Sequence, residues 1–359
     1  MLRHLHTSIE PAVFRFMHFF LAALVISSPA SVFAKGEVVG MSFNERHVAD
    51  LEKTIAYYQV LDFELVSGPG EWKVDDTVNR LGGLEGVESR SAVMKVQSSV
   101  SDVPYGFILR EFRGIDRQDW RGLASFDLFS GHMDLTVLDD CRPSLDKLEA
   151  AGMLVTPNNN TLPAAGDDDG PIRFIFIQDP DGWYVELFAK MPRPADAPPL
   201  VRDSTATNQN IDRTGHQAGF NHIGLNVVDA HKALPFYEDV LGGDYPPLAD
   251  HGPAAEGERP RMTILHGWFP QAGADQSLRL ELLQFPQNDG KQAPDMQYGD
   301  IGLNIVGLQV NDIEDLYKRV VDAGARTVSD GIVQTVEGKV VTIRDPDIGG
   351  YLMLWESAR

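Results

Sequence analysis

His132-Met133-Asp134-Leu135-Thr136-Val137-Leu138-Asp139 returns 90 residues later as His222-Ile223-Gly224-Leu225-Asn226-Val227-Val228-Asp229. Each stretch reads as a strand running into a helix, opened by a histidine and closed by an aspartate seven residues on. The closing aspartate has counterparts at Asp50 and Asp312, so the four copies lie 89, 90 and 83 residues apart. A repeat of that length is one supersecondary module.

A helical pattern follows the aspartates. Leu51, Ile55 and Tyr58 share one face, as do Leu145, Leu148 and Ala151, and again Ile313, Leu316 and Val320. Aspartate accepts hydrogen bonds from unpaired first-turn amides, so these four residues are expected to be helix caps without a catalytic role. Strand-like runs come next, at 63–66, 91–96 and 105–112 in the first copy and at 172–177 and 183–188 in the second. Asp179-Pro180-Asp181-Gly182 splits the latter pair, and Asp345-Pro346-Asp347 sits in the same way between 340–343 and 351–355. Proline presets the backbone angle of such a turn, and glycine permits the positive one. Each unit is thus strand, helix and about three strands, which predicts an α+β protein of four βαβββ modules.

Residues 191–219, rich in Pro, Ala, Asp and Asn, read as a linker. They separate a domain over 38–190 (modules 1 and 2) from one over 220–359 (modules 3 and 4). Residues 1–34 read as a signal peptide, with Arg3 and Arg15, an apolar run at 16–26 and Val32-Phe33-Ala34 before the cut. That run falls short of the ~20 residues that span a bilayer. The expected location is periplasmic or secreted, with no membrane contact beyond the signal segment. Cys141 is the single cysteine, which excludes an internal disulfide, thiolate zinc sites and CxxC redox chemistry.

The formal charge is -21, and residues 1–34 carry two arginines and one glutamate, so the remainder stands near -22. Such acidity opposes binding to nucleic acid or anionic lipid. A small-molecule pocket depends on local charge instead. His132 and His222, each joined in its own copy by a strand-borne glutamate, Glu186 and Glu281, make a believable site for one divalent metal ion. Mixed imidazole and carboxylate shells suit borderline ions, here nickel, zinc, manganese or iron. Taken alone, Glu281 also fits an exposed strand position, because Leu278-Arg279-Leu280-Glu281-Leu282 alternates and Arg279 shares its face.

The "HxxLxVxD" strands and the "DPDGxxxEL" ending resemble the vicinal oxygen chelate superfamily, which includes glyoxalase I, bleomycin- and fosfomycin-resistance proteins and extradiol ring-cleaving dioxygenases. The resemblance covers nearly all of residues 38–356. It implies that modules pair into two cups of eight strands, with a metal held by the first and last strands of each unit. The ligand positions fall on His132 and Glu186 in module 2 and on His222 and Glu281 in module 3. In module 1 they give Phe43 and Ile108, and in module 4 Ile305 and Leu352. If neighbouring modules paired, each cup would hold two ligands; if the middle modules pair, one cup holds all four. The second arrangement is favoured, since it avoids burying two half-equipped sites.

His47 is the main competing histidine, because it lies four residues beyond Phe43 and keeps the same strand face. His231, His251 and His266 are spares. Arg110, Arg173 and Arg261 are too ordinary to assign to an anionic substrate. Asp167-Asp168-Asp169-Gly170 lacks the spacing of a calcium loop. The resemblance implies a metal-dependent glyoxalase-I-like isomerase or lyase. Its substrate would bind through two vicinal oxygens, the metal would stabilise an enediolate, and Glu186 or Glu281 would act as base. Two alternatives stand beside it. An extradiol-type dioxygenase is disfavoured by Phe176, which stands where that group carries a tyrosine; the other is a non-catalytic, resistance-type binder of small molecules. The chain would act as monomer or homodimer.

Overall fold

The computed structural model describes residues 36–154, 172–190, 217–246 and 262–358. Module 1 comprises β1 (Val38–His47), α1 (Leu51–Val60), β2 (Glu64–Ser67), β3 (Lys73–Val74), α2 (Asp76–Gly82), β4 (Glu88–Val96) and β5 (Tyr105–Arg113). Module 2 comprises β6 (His132–Leu138), α3 (Arg142–Ala150), β7 (Phe174–Gln178) and β8 (Tyr184–Lys190). Module 3 has β9 (Gly219–Val227), α4 (Ala230–Pro235, running on as a π-turn over Phe236–Val240), β10 (Thr263–Pro270) and β11 (Ser277–Gln284). Module 4 has β12 (Asn304–Val310), α5 (Ile313–Asp322), β13 (Arg326–Thr327), β14 (Val333–Gln334), β15 (Gly338–Arg344) and β16 (Tyr351–Ser357). The mixed α+β class and the repeated unit follow the sequence pattern closely.

Sheet pairing exchanges modules between the two halves of the chain. One sheet runs β13-β15-β16-β12-β1-β5-β4-β2 and joins modules 1 and 4 through β1 and β12. The other runs β10-β11-β9-β6-β8-β7 and joins modules 2 and 3 through antiparallel β6 and β9. The two cups therefore do not coincide with the stretches 38–190 and 220–359. The inner cup shows six strands, not eight, among the described residues; 155–171 and 247–261 lie outside them, as do residues 1–35, where a signal peptide is expected, and 191–216 of the expected linker. Among the described residues no helix is long and apolar enough to cross a membrane.

Asp50, Asp229 and Asp312 cap their helices as expected, accepting from Lys53, from His231 and Lys232, and from Asp315 amides. Asp139 does not. It takes a positive φ of 60°, and α3 starts at Arg142 with Pro143 in its first turn. Asp140 replaces it in part, accepting from the Arg142 and Ile172 amides. The extra residues before Pro143 move the helix start beyond reach of Asp139.

The Asp-Pro-Asp turns tie the cups together. Asp181 accepts from the Ala49 amide at 2.7 Å and the Thr54 hydroxyl at 2.6 Å, at the start of α1. Tyr58 donates to Asp179 at 2.7 Å, and Arg46 lies 3.5 Å from the same carboxylate. The corresponding turn of module 4 places Asp347 where it accepts from the Val228 amide, beside α4. Each turn thus fastens one sheet to a helix of the other, and the backs of both sheets share one apolar core with these helices. A second apolar cluster lies inside the outer cup, built from Phe43, Phe112, Tyr298, Ile305, Met353 and Trp355 among others.

Candidate metal centre

Period-two side-chain alternation sets which residues face the inner cup. On the two central strands these are His132, Asp134 and Thr136 of β6 and His222, Gly224 and Asn226 of β9. Register then decides their neighbours. Asp134 lies opposite both Glu186 on β8 and His222 on β9, while Gly224 lies opposite both His132 and Glu281. Glycine at 224 leaves space for the imidazole of His132, because a Cβ there would stand 2.2 Å from its Cε1.

All four expected residues meet. His132 Nε2 lies 3.0 Å from Glu186 Oε2, 3.1 Å from His222 Nε2 and 3.9 Å from Glu281 Oε2. His222 Nε2 lies 3.4 Å from Glu281 Oε2 and 3.7 Å from Glu186 Oε2. Neighbouring donors on an ion that sits about 2.1 Å from each are separated by roughly 3 Å, so these atoms are nearly in coordinating positions. All four residues are buried, Glu281 included, so its reading as an exposed strand residue does not apply.

Three further side chains complete the surroundings. His266, across the β10–β11 ladder from Glu281, places Nδ1 at 2.7 Å from Glu281 Oε1. Arg279 places Nε 3.1 Å from the same oxygen and donates from Nη2 to His222 Nδ1 at 2.6 Å. Asp134 Oδ1 lies 3.7 Å from His222 Nδ1, and this oxygen, His266 Nδ1 and Arg279 Nε all lack an aligned hydrogen-bond partner. His266 stood in the sequence only as a spare histidine, and the functional surroundings of Asp134 depend on register between strands distant in sequence.

The electrostatics fit a cation. Three buried carboxyls, Asp134, Glu186 and Glu281, lie around the guanidinium of Arg279, which is buried with them. Burial, together with nearby Glu186, pushes the Asp134 carboxyl well above its usual range. Burial would also raise Glu281, but His222 and Arg279 outweigh it and hold that carboxyl well below the ordinary value. Burial and then the Arg279 charge lower His222 to about 4. A neutral His222 that accepts at Nδ1 carries its proton on Nε2, and a cation arriving there would displace it. The donor set contains no thiolate, in keeping with Cys141, which is buried and free on the back of the sheet with its thiol pushed up to about 12, chiefly by burial.

The outer cup carries apolar side chains at the equivalent places. Phe43, Ile305 and Ile108 stand as read from the sequence, but the fourth position is Met353 and not Leu352. Gly307, the counterpart of Gly224, pairs with Met353, and Leu352 belongs to the core on the other face. Ile348-Gly349-Gly350 makes this turn one residue longer than Gly182-Trp183, which shifts the register by one. His47 does point inward, into the outer cup. Its Nε2 lies 3.2 Å from Glu45 and its Nδ1 accepts from the Gly299 amide. Arg110 pairs with Glu45 at 2.6 Å, and Arg173 donates to the Asp139 carbonyl. His251, Arg261 and Asp167–Asp169 lie outside the described residues.

Residues 219–352 match a family model described as "Glyoxalase/Bleomycin resistance protein/Dioxygenase superfamily". Human mitochondrial methylmalonyl-CoA epimerase is 27% identical over 183 residues, which is 48% of this chain and 93% of that protein. A glyoxalase I mutant from Zea mays superposes with a TM-score of 0.53 at 17% identity, over 90% of this chain and 94% of that one. A putative dioxygenase from Bacillus subtilis superposes with a TM-score of 0.50 at 12% identity, over 90% and 86%. At such identities the two structures establish a shared fold.

Proposed function

We propose, from the match of residues 219–352 to the model described as "Glyoxalase/Bleomycin resistance protein/Dioxygenase superfamily", that the protein is a metal-dependent isomerase or lyase that moves a proton at carbon beside a carbonyl. The supporting observation is the meeting of two imidazoles and two carboxylates from β6, β8, β9 and β11 within 3.0–3.9 Å of one another. His132, His222, Glu186 and Glu281 would hold one divalent ion. When bound, the ion supplies Lewis acidity to a substrate that offers oxygens on neighbouring carbons.

The chain's own residues do the rest. His132 and His222 fix the position of the site, because neither ring can turn freely when buried against the facing strand. A glutamate Oε2 within reach of the reacting carbon accepts its proton and returns it to the same or the adjacent carbon. The aromatic wall of Phe174, Phe176, Phe188 and Tyr184 on β7 and β8 keeps water from one side of the cup. Phe176 lies across the ladder from Glu186 and has no hydroxyl, which supports proton transfer over ring cleavage with oxygen. The similarity to an epimerase and to a glyoxalase I agrees with the same class. We place the protein in the periplasm or outside the cell, on the reading of residues 1–34 as a signal.

Two substrates test the reading directly. The hemithioacetal of methylglyoxal and glutathione, and a methylmalonyl thioester in deuterated water, each reveal proton movement at the relevant carbon. Exchange or isomerisation that needs an added divalent ion and consumes no oxygen supports the proposal. Oxygen uptake with a catechol, or binding of small molecules with neither ion nor turnover, overturns it.

A further inference from the structure

The two glutamates of the inner cup occupy equivalent places in modules 2 and 3, yet their surroundings differ. Across the β7–β8 ladder from Glu186 stands Phe176; across the β10–β11 ladder from Glu281 stands His266. Both oxygens of Glu281 are engaged. Oε1 lies within ion-pair distance of His266 Nδ1 (2.7 Å) and Arg279 Nε (3.1 Å), neither of which has another partner or an aligned hydrogen bond, and Oε2 faces the two imidazoles. Glu186 meets only the two imidazoles among the described residues, through Oε2. The ring of Phe176 packs edge-on against His132, 5.3 Å between centroids, and offers no polar atom.

We infer that His266, backed by Arg279, is a positioning residue that clamps Glu281 as a permanent ligand and leaves Glu186 as the one base of the site. The inference rests on the proton-transfer reading above and names which carboxylate does the work. A ligand that serves as base must swing toward the substrate carbon. For Glu281 this means surrendering two short polar contacts on Oε1; for Glu186 it means none. Glu186 then takes the proton as the C–H bond breaks, its carboxylate becomes a carboxylic acid, and the bond's electron pair passes into the adjacent carbonyl. The pair returns to carbon as Glu186 gives the proton back, so the cycle closes with no net oxidation and no loss of atoms. Glu281 stays ionised throughout. A single base on one side of the substrate makes the proton transfer stereospecific, whereas two free carboxylates would serve both faces.

Titration calorimetry with nickel(II) and manganese(II) separates the roles without reference to turnover. Glu281→Gln is expected to weaken the ion at least tenfold more than Glu186→Gln, since only the former removes a fixed ligand. His266→Phe, which copies the Phe176 side, is expected to weaken it about 10–100-fold, the usual effect of removing a residue that supports a ligand. His266→Asn keeps a donor near the Nδ1 position and should restore most of that loss, which also controls for a variant that folds poorly. In deuterated water the wild-type protein should label one face of a prochiral substrate carbon, and His266→Phe should label both. Equal losses for Glu186→Gln and Glu281→Gln, or unchanged affinity and single-faced labelling in His266→Phe, overturn the clamp alone. A wild-type protein that binds neither ion overturns the clamp and the proposed function together.

Discussion

In the inner cup the imidazole of His132 sits over Gly224, where a Cβ would come within 2.2 Å of it; in the outer cup the ring of Phe43 sits over Gly307, where a Cβ would come within 2.5 Å. The backbone arrangement that seats a ring against the facing strand is therefore the same in both. What differs is the ring. Where the inner cup places His132, His222, Glu186 and Glu281, the outer one places Phe43, Ile305, Ile108 and Met353. The outer cup is also occupied by its own chain, because Met296 and Tyr298, from the segment before β12, pack into it. Its buried charges Glu45 and Arg110 pair with each other. One cup gathers the polar candidate ligands; the other is filled by its own side chains.

The largest effect that follows is a separation of phenotypes. His132→Ala and His222→Ala should abolish stoichiometric metal, measured by elemental analysis of the purified protein, and lose more than the roughly 100-fold in affinity that a supporting residue costs. Retention of the ion in either variant would erase the distinction between the cups. In the outer cup, Arg110→Ala strands the buried Glu45 carboxylate and should cost about 3–5 kcal/mol of unfolding free energy, with metal content unchanged. Denaturant melts paired with elemental analysis check both halves of that statement.

Acidity sharpens the comparison further. Burial lowers His47 to about 4 against the contribution of Glu45, and its other charged and aromatic neighbours are Arg110, Arg117, Tyr298 and Phe112. Between about pH 6.5 and 4 the unfolded chain takes up a proton that the folded cup refuses. Stability assigned to neutral His47 is thus present above pH 6.5 and lost as pH falls toward 4, at up to about 1.4 kcal/mol per pH unit. Wild type should lose stability over this window relative to His47→Phe; parallel curves would show that the ring is not buried in neutral form. The smallest effects come from the paired glycines. Gly307→Ala should cost about 1–3 kcal/mol by displacing Phe43. Gly224→Ala should displace His132 instead, and its signature is metal affinity about 10–100-fold weaker.

Much of this was legible in the sequence because the decisive signals are local. Strand alternation, the aspartate caps and the Asp-Pro-Asp turns each depend on a few adjacent residues, and the uneven spread of polar ligand positions pointed to the middle modules sharing a cup. Signals that depend on register were not legible. Met353 replaced Leu352 because a single added turn residue inverts the faces of the strand after it. His266 and Asp134 acquired meaning only when β10 aligned with β11 and β6 with β9. Glu45 and Arg110 lie 65 residues apart and find each other only in the sheet.

The exchange of modules also dictates an order of assembly. Among the described residues every strand of the inner sheet falls between residues 132 and 284, whereas the outer sheet joins Val38 to Val310. As the chain emerges, β1 waits with one edge unpaired while the central modules are made, and free strand edges invite wrong partners. Contacts of such long sequence separation also form slowly. Sequence separation thus favours pairing of the central modules before the outer sheet closes. That interval is when a newly made chain is most exposed to misassociation.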